Sequence, residues 1–206
     1  MRALILVDIQ NDFVSGSLAV ENAVEVVPVA NQLLRQFELV VATQDWHPAD
    51  HGSFASQNPG VEAGEQFELG DLPQTAWPDH CIENTTGAQF VEQLDAAAQQ
   101  NVFRKGTNRE IDSYSGFFDN DQRQATGLGD FLKSKSVTEV FVMGLATDYC
   151  VKFTALDAMK LGFQTNLVID GCRGVELKPG DIEAAVKQMT DAGVTVVHSN
   201  EIEEQQ

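Results

Sequence analysis

Three chemically active side chains stand at or just beyond the ends of apolar, strand-like runs. Asp8 follows ALILV, Lys105 follows VFR, and Cys150 comes five residues after EVFVMGL. A carboxylate can take the proton of a thiol, and an ammonium group favours both anions. The three residues are therefore predicted to form a cysteine nucleophile with its base and an electrostatic partner. Taken singly, Asp8 could instead be a turn residue and Lys105 a surface lysine.

The segment EVFVMGLATDYCVKFTALDAM predicts a strand, a turn and a helix around Cys150. Glu139–Leu145 is apolar and β-branched, as in a strand covered on both faces. Apolar residues recur at helical spacing from Val151 onward. Asp148 is well placed to cap that helix, which puts Cys150 in its first turn, where free N–H groups and the helix dipole favour a thiolate. The alternative is that Cys150 is a small buried hydrophobic residue.

The segment 45–83 breaks the periodic pattern and carries three of the four histidines. A structureless loop of this length in a compact domain is usually functional or disordered. Asp45 and His47 stand two residues apart, so their side chains project to the same side of an extended chain. Together with His80 they predict a site for one divalent transition metal ion, with zinc expected first and iron or manganese as alternatives. His51 either joins this site or braces the loop through hydrogen bonds, and loop histidines without a metal are the remaining alternative.

Aromatic residues flank both groups of polar candidates. Phe13 follows Asp8 in DIQNDF, and Trp77 precedes His80 in WPDHC. Two flat apolar faces beside a polar centre suit a planar ring held by stacking, with plain core packing as the alternative. Tyr114, in IDSYSGFFD, is a further candidate for the same pocket.

The composition is that of an acidic globular chain. The chain has 206 residues, 43% of them hydrophobic, which is enough for one sizeable core. Its formal charge of −18 argues against nucleic acid and anionic membranes as partners. Three cysteines without a CxxC pair favour a cytoplasmic location, and no apolar run suits a membrane span or a signal peptide. The tail EIEEQQ is expected to be a solvated end.

Apolar strand-like runs alternate along the chain with amphipathic stretches. The predicted strands are Ala3–Val7, Leu39–Thr43, Val102–Arg104, Glu139–Leu145, Asn166–Ile169 and Val194–Val197. The predicted helices are Val26–Phe37, Gly129–Lys135, one from the Cys150 turn to Gly162, and Asp181–Ala192. Strand–helix alternation with short connections predicts a mostly parallel sheet covered by helices on both faces. A single α/β domain over 1–206, with an insertion at about 45–83, is the simplest organisation.

The motifs DIQNDF, QDWHPADHGSF, WPDHC, FRKG, SYSGF and GLATDYCV occur in a family-specific order. From about Arg2 to Val197 the sequence resembles bacterial nicotinamidases of the pyrazinamidase type, within the isochorismatase-like cysteine hydrolases. The resemblance implies a three-layer α/β/α sandwich with a six-stranded sheet. It also implies a catalytic triad at Asp8, Lys105 and Cys150, and metal ligands at Asp45, His47 and His80. In some relatives a further loop side chain, at the position of His51, completes the metal shell.

The resemblance further implies metal-dependent hydrolysis of nicotinamide, and of pyrazinamide, through a thioester on Cys150, in NAD salvage. Backbone N–H groups of Cys150 and Ala146 would meet the oxyanion, with a cis Leu145–Ala146 peptide. The partner is then a small molecule, and the chain could be a monomer or a homo-oligomer. Two alternatives remain: a related hydrolase acting on another small amide or an enol ether such as isochorismate, and a thiol-based redox or binding protein. Isochorismatase-type members lack the DWH…H set, which this sequence has.

Overall fold

The structure is a computed structural model that describes residues 1–202, except for the side chains of residues 96 and 99, so residues 203–206 of the acidic tail lie outside it. The strands are β1 (Arg2–Val7), β2 (Leu39–Asp45), β3 (Gln66–Leu69), β4 (Leu72–Thr75), β5 (Val102–Lys105), β6 (Glu139–Leu145), β7 (Gln164–Arg173) and β8 (Thr195–Val197). Six of them form one parallel sheet in the order β5-β2-β1-β6-β7-β8. The predicted α/β fold with a six-stranded parallel sheet is confirmed.

Helices flank this sheet, and all but the first, short one lie where the sequence predicts them. They are α1 (Asn11–Val14), α2 (Val26–Leu33), α3 (Leu128–Ser134), α4 (Lys152–Lys160) and α5 (Asp181–Asp191). The prediction that α2 runs to Phe37 is wrong. The chain turns after Leu33, and the Phe37 ring packs against Phe141 of β6 with ring centroids 5.1 Å apart. Burial of this aromatic side chain favours ending the helix early. The predicted stop of α4 is confirmed, since Gly162 has a φ of +90° just beyond the helix end.

The two central strands are buried along almost their whole length, as their continuous apolar sequences predict. At their carboxyl ends β1 and β6 approach closely, because a Cβ on Gly144 would lie 2.1 Å from the carbonyl oxygen of Val7. In the neighbouring pair, Asp45 of β2 stands directly opposite Lys105 of β5. The sheet therefore brings the predicted functional residues to a single edge.

The expectation of a structureless loop over 45–83 is wrong in part. This segment contains the antiparallel hairpin β3–β4, joined by Gly70 and Asp71. Gly70 has a φ of +62°, which fits a two-residue hairpin connection. The sequence ELGDLPQT carries this turn signal between short runs, so the hairpin could have been predicted.

The remaining general expectations concern thiols and membranes. Cys81, Cys150 and Cys172 are all buried and free of disulfide bonds. Within residues 1–202, no helix has the length and apolar character needed to cross a membrane.

Candidate active site

The carboxyl edge of the sheet brings together the three residues of the predicted triad. The Lys105 Nζ lies 2.9 Å from Asp8 Oδ2 and 3.3 Å from the Cys150 Sγ. The three side chains are almost fully buried, with exposed fractions of 0% for Asp8, 2% for Lys105 and 6% for Cys150. Charged groups are costly to bury unless they are paired or used, so this arrangement points to function.

Lys105 has more partners than the sequence predicted. Its Nζ also lies 2.5 Å from Asp45 Oδ1 and donates to the carbonyl oxygen of Ser113 at 2.9 Å. Burial alone lowers the pKa of this amine, but Asp45, Asp8 and Cys150 together raise the pKa well above its ordinary value. The ammonium therefore stays charged, and it connects the triad to the predicted metal ligands.

Asp8 is positioned by its backbone and by a neighbouring strand. It directly follows β1 with a φ of +51°, in the left-handed region. The hydroxyl of Thr43, on β2, donates to Asp8 Oδ1 at 2.7 Å. Burial raises the pKa of Asp8 to about 6, against the opposing effects of Lys105 and Thr43. Asp8 is thus a base that is ionised at neutral pH and able to hold a proton. Thr43 was not among the predicted site residues, because nothing in the β2 sequence sets it apart.

Cys150 lies in a wide helical turn, Thr147–Val151, that precedes α4. Burial raises the pKa of the Cys150 thiol well above its ordinary value, and Asp8 and Asp45 add to this, while Lys105 opposes it. The expectation of a resting thiolate is therefore not supported, because burial outweighs the favourable charges. The thiol has to lose its proton during reaction, and one oxygen of Asp8 lies within 4.8 Å of the sulfur.

Asp148 does not cap the helix, contrary to the sequence prediction. Its Oδ1 accepts from the N–H of Val175 at 2.9 Å, and its Oδ2 accepts from the N–H of Glu176 at 2.8 Å. Glu176 has a φ of +51°, which places these two successive N–H groups in a tight bend. The Asp148 carboxylate stabilises the fold more in this position than it would as a helix cap, because it accepts from two backbone N–H groups instead of one. Asp148 thus ties the turn of Cys150 to a distant loop.

Asp45, His47 and His80 form a buried cluster with the chemistry of a metal site. Each imidazole Nδ1 is next to a backbone carbonyl, that of Gly106 at 2.8 Å for His47 and that of Pro78 at 2.7 Å for His80. A carbonyl only accepts, so Nδ1 carries the proton and Nε2 is left as a metal ligand. The two Nε2 atoms lie 3.6 and 3.9 Å from Asp45 Oδ2.

These spacings fit a divalent ion. Two atoms that each lie about 2.1 Å from one zinc ion stand roughly 3.4 Å apart, so the cluster is slightly wider than a closed coordination shell. The pKa of His80 is lowered to about 4, by burial first and then by His47, so His80 is neutral as a ligand must be. The pKa of Asp45 is lowered, because Lys105 and His47 outweigh the effect of burial.

His51 lies beside this cluster without belonging to it. Its ring centroid is 4.3 Å from that of His47, and its Nδ1 is 2.7 Å from the hydroxyl oxygen of Ser53. One of its nitrogens lies within 4.8 Å of side-chain donor atoms of His47 and Asp112. Asp45, His47 and His80 form a separate set whose donor atoms lie within the same distance of one another. The contact with Ser53 supports the bracing alternative. The buried Nε2 of His51 has no hydrogen-bond partner among the described residues, which supports the metal alternative, so both stay predictions.

A small cavity opens onto both groups of polar residues. Its lining includes all the predicted candidates with an aromatic or backbone role, namely Phe13, Trp77, Tyr114 and Ala146, together with Cys150, Asp45 and His80. Sequence reasoning missed four lining residues, namely Leu18, Asp112, Tyr149 and Val175. Tyr149 could have been found as the neighbour of Cys150. The Leu145–Ala146 peptide is cis, as the resemblance implied.

The chain is similar to known proteins along nearly its whole length. A protein-family model described as the isochorismatase domain matches residues 2–201. The chain belongs to the isochorismatase family. Among the members of this family, a nicotinamidase of Escherichia coli K12 is 52% identical, over 100% of this chain and 98% of that protein.

Two solved structures extend the likeness to three dimensions. A nicotinamidase and pyrazinamidase of Acinetobacter baumanii has a TM-score of 0.94 at 44% identity, covering 97% of both chains. The pyrazinamidase of Pyrococcus horikoshii, in complex with zinc, has a TM-score of 0.78 at 36% identity, covering 96% of this chain and 98% of that one.

Proposed function

We propose that this isochorismatase-family protein hydrolyses nicotinamide to nicotinate and ammonia, and pyrazinamide by the same route. One observation carries the proposal. The thiol of Cys150, with Lys105 at 3.3 Å and the carboxylate of Asp8 nearby, opens onto the same cavity as two aromatic side chains and a metal-ligand cluster. A nucleophile, a base, flat apolar walls and a ligand for a ring nitrogen are what a small aromatic amide requires. The nicotinamidase relatives support this substrate.

The first half of the reaction transfers the acyl group to sulfur. Asp8 takes the proton of Cys150, and the ammonium of Lys105 stabilises the thiolate as it forms. The sulfur attacks the carboxamide carbon to give a tetrahedral intermediate. Its oxyanion meets the backbone N–H groups of Cys150 and Ala146, and a preorganised donor of this kind is worth about 3–4 kcal/mol. The C–N bond then breaks, and the nitrogen leaves as ammonia with the proton from Asp8.

The second half restores the enzyme. Asp8, again ionised, takes a proton from water as the water attacks the thioester carbon. The C–S bond breaks, nicotinic acid leaves, and the sulfur recovers its proton from Asp8. A base with a pKa of about 6 suits both directions, since it accepts and returns a proton near neutral pH.

The metal site is proposed to hold one divalent transition ion through Asp45, His47 and His80. Both imidazoles have Nε2 free toward the carboxylate, and the donor set fits zinc, iron or manganese. The zinc complex of the related pyrazinamidase favours zinc. When bound, the ion supplies Lewis-acid coordination for the ring nitrogen of the substrate. Phe13 and Trp77 hold the ring at the sides of the cavity.

The wider predictions remain part of this proposal. The chain forms one hydrolase domain, acts on a small molecule in the cytoplasm, and has no nucleic acid or membrane partner, which the charge of −18 supports. The nearest alternative is hydrolysis of another small amide or of an enol ether such as isochorismate. The metal-ligand cluster favours a substrate with a ring nitrogen over that alternative.

Ammonia release from nicotinamide by the metal-loaded protein tests the function. We expect turnover in the wild-type protein and its loss in Cys150→Ala. Cys172→Ala is the matched control, because Cys172 is also buried but lies outside the cavity lining. Turnover that persists in Cys150→Ala would contradict the mechanism. If the wild-type protein does not turn over nicotinamide but hydrolyses another small amide, the alternative substrate is correct.

A further inference from the structure

The hairpin β3–β4 buries the polar side chain of Gln74 against the wall of the cavity. Gln74, on β4, has an exposed fraction of only 3% and does not line the cavity itself. A primary amide buried without hydrogen bonds costs free energy, so its partners show what it does. The Gln74 Nε2 lies 2.8 Å from the carbonyl oxygen of Thr75, 2.9 Å from Asp112 Oδ2 and 2.9 Å from the Tyr114 hydroxyl oxygen.

These partners fix the orientation of the amide. The carbonyl oxygen of Thr75 and the carboxylate of Asp112 only accept hydrogen bonds, so the nitrogen of Gln74 has to face them. The Gln74 oxygen points the other way, where it accepts from Asn120 Nδ2 at 3.5 Å. A flipped amide would set its oxygen against two acceptors. The Gln74 nitrogen therefore stands between Asp112 and Tyr114, both of which line the cavity.

The neighbours of the Tyr114 hydroxyl constrain its role in the same way. Its oxygen accepts from Trp77 Nε1 at 3.1 Å and lies 2.9 Å from Gln74 Nε2. Neither nitrogen can accept a hydrogen bond, so neither contact uses the hydroxyl hydrogen. Asp112 is a charged acceptor beside the same amide: its Oδ2 lies 2.9 Å from Gln74 Nε2, and its Oδ1 accepts from the N–H of Ser113 at 2.7 Å. The Gln74 nitrogen therefore contacts both the Tyr114 hydroxyl and the Asp112 carboxylate.

We propose that Gln74 is a positioning residue that keeps the Tyr114 hydroxyl available as a hydrogen-bond donor to an acceptor atom of the bound aromatic amide. This inference rests on the proposed amidase function. Without the Gln74 amide, the Tyr114 hydroxyl turns to Asp112 and is lost to the substrate. Gln74 acts on substrate binding through Tyr114, so its removal raises KM more than it lowers kcat.

A double-mutant cycle on the metal-loaded protein tests this role. One neutral hydrogen bond is worth up to about 1.5 kcal/mol, so we expect Gln74→Met and Tyr114→Phe each to raise KM for nicotinamide by roughly three- to tenfold. In the Tyr114→Phe background, Gln74→Met should have less than about a twofold further effect, since the hydroxyl through which it acts is gone. Thermal unfolding and metal content are measured for every variant.

The control is Gln66→Met, on the paired strand of the same hairpin. Gln66 is exposed and bonds only the Thr75 hydroxyl among the bonds described for its side chain, so KM should not change. Equal effects of Gln74→Met in both backgrounds, or an unchanged KM, would overturn the inference. If Gln74→Met does not fold, Tyr114→Phe decides, because an unchanged KM in that variant also overturns it. Failure of the amidase proposal shows separately, as absent turnover in the wild-type protein.

Discussion

At the scale of single residues, one lysine connects the predicted catalytic triad to the predicted metal ligands. The three N–H groups of the Lys105 ammonium donate to Asp45, Cys150 and the Ser113 carbonyl, and the same ammonium forms an ion pair with Asp8 at 2.9 Å. Sequence reasoning predicted Lys105 as a partner of the triad because it ends a strand. It could not predict the contact with Asp45, which follows from the pairing of β2 and β5 across the sheet.

The ionisation of Asp8 gives a prediction for pH dependence. Its pKa is raised to about 6, so the base is ionised above this pH and protonated below it. The kcat/KM for nicotinamide should therefore fall as the pH is lowered through about 6. The Thr43 hydroxyl stabilises the ionised form, so Thr43→Val should move this acid limb to higher pH. A hydrogen bond to a charged group is worth about 1.5 kcal/mol, which corresponds to roughly tenfold lower kcat/KM on the acid side.

Profiles of the variant and the wild-type protein should converge at high pH, where Asp8 is ionised in both. Thr154→Val is a suitable control, because the hydrogen bond described for its buried hydroxyl comes from the Gly116 N–H and does not involve an acid. An acid limb that does not move in Thr43→Val would show that Asp8 is not the base that titrates.

At the scale of elements, the sequence predicted where helices and strands lie but not what joins them. The apolar run of β6 and the spacing in α4 are local patterns, and both were predicted correctly. Asp148 was expected to cap a helix because its neighbours in sequence suggest it. Its actual partners lie 27 and 28 residues away, and no local pattern indicates them. No local sequence pattern indicates the cavity wall either, because its residues come from many segments of the chain.

Asp148 gives a prediction at this scale. In Asp148→Asn the amide oxygen can accept one of the two N–H groups and its NH₂ group repels the other. The loop that carries Val175 into the cavity lining should loosen, and KM for nicotinamide should rise about tenfold with a smaller change in kcat. Asp157→Asn, a buried acid of α4 that bonds Lys160 and Gln122, should lower stability without changing KM. A loss confined to kcat would instead indicate that the Asp148 charge acts on Cys150.

At the scale of the whole molecule, strand order is what makes the site. Asp8, Lys105 and Cys150 are separated by long stretches of sequence, and only the order β5-β2-β1-β6 sets their strands side by side. The strand–helix alternation predicts a parallel sheet, but it does not specify the order of strands. The strand-end positions indicated the grouping of Asp8, Lys105 and Cys150, and the resemblance implied the six-stranded sheet. That the segment 45–83 is functional stays a prediction, which the proximity of its residues Asp45, His47 and His80 supports.

The metal cluster joins distant parts of the chain, so metal binding should stabilise the whole fold. Asp45 ends β2, whereas His80 lies beyond the hairpin, and an ion held by both crosslinks them. A ligand that binds only the folded state at 100 times its Kd adds about 2.7 kcal/mol to the free energy of unfolding. Treatment with a chelator should therefore lower the Tm of the metal-loaded protein, and added zinc should restore it. In His80→Ala the Tm should no longer respond to the chelator, because a ligand is missing.

In His51→Asn the response should persist, since His51 lies outside the group formed by Asp45, His47 and His80. Loss of the chelator response in His51→Asn would make His51 a direct ligand, and an unaltered response in His80→Ala would remove His80 from the metal site.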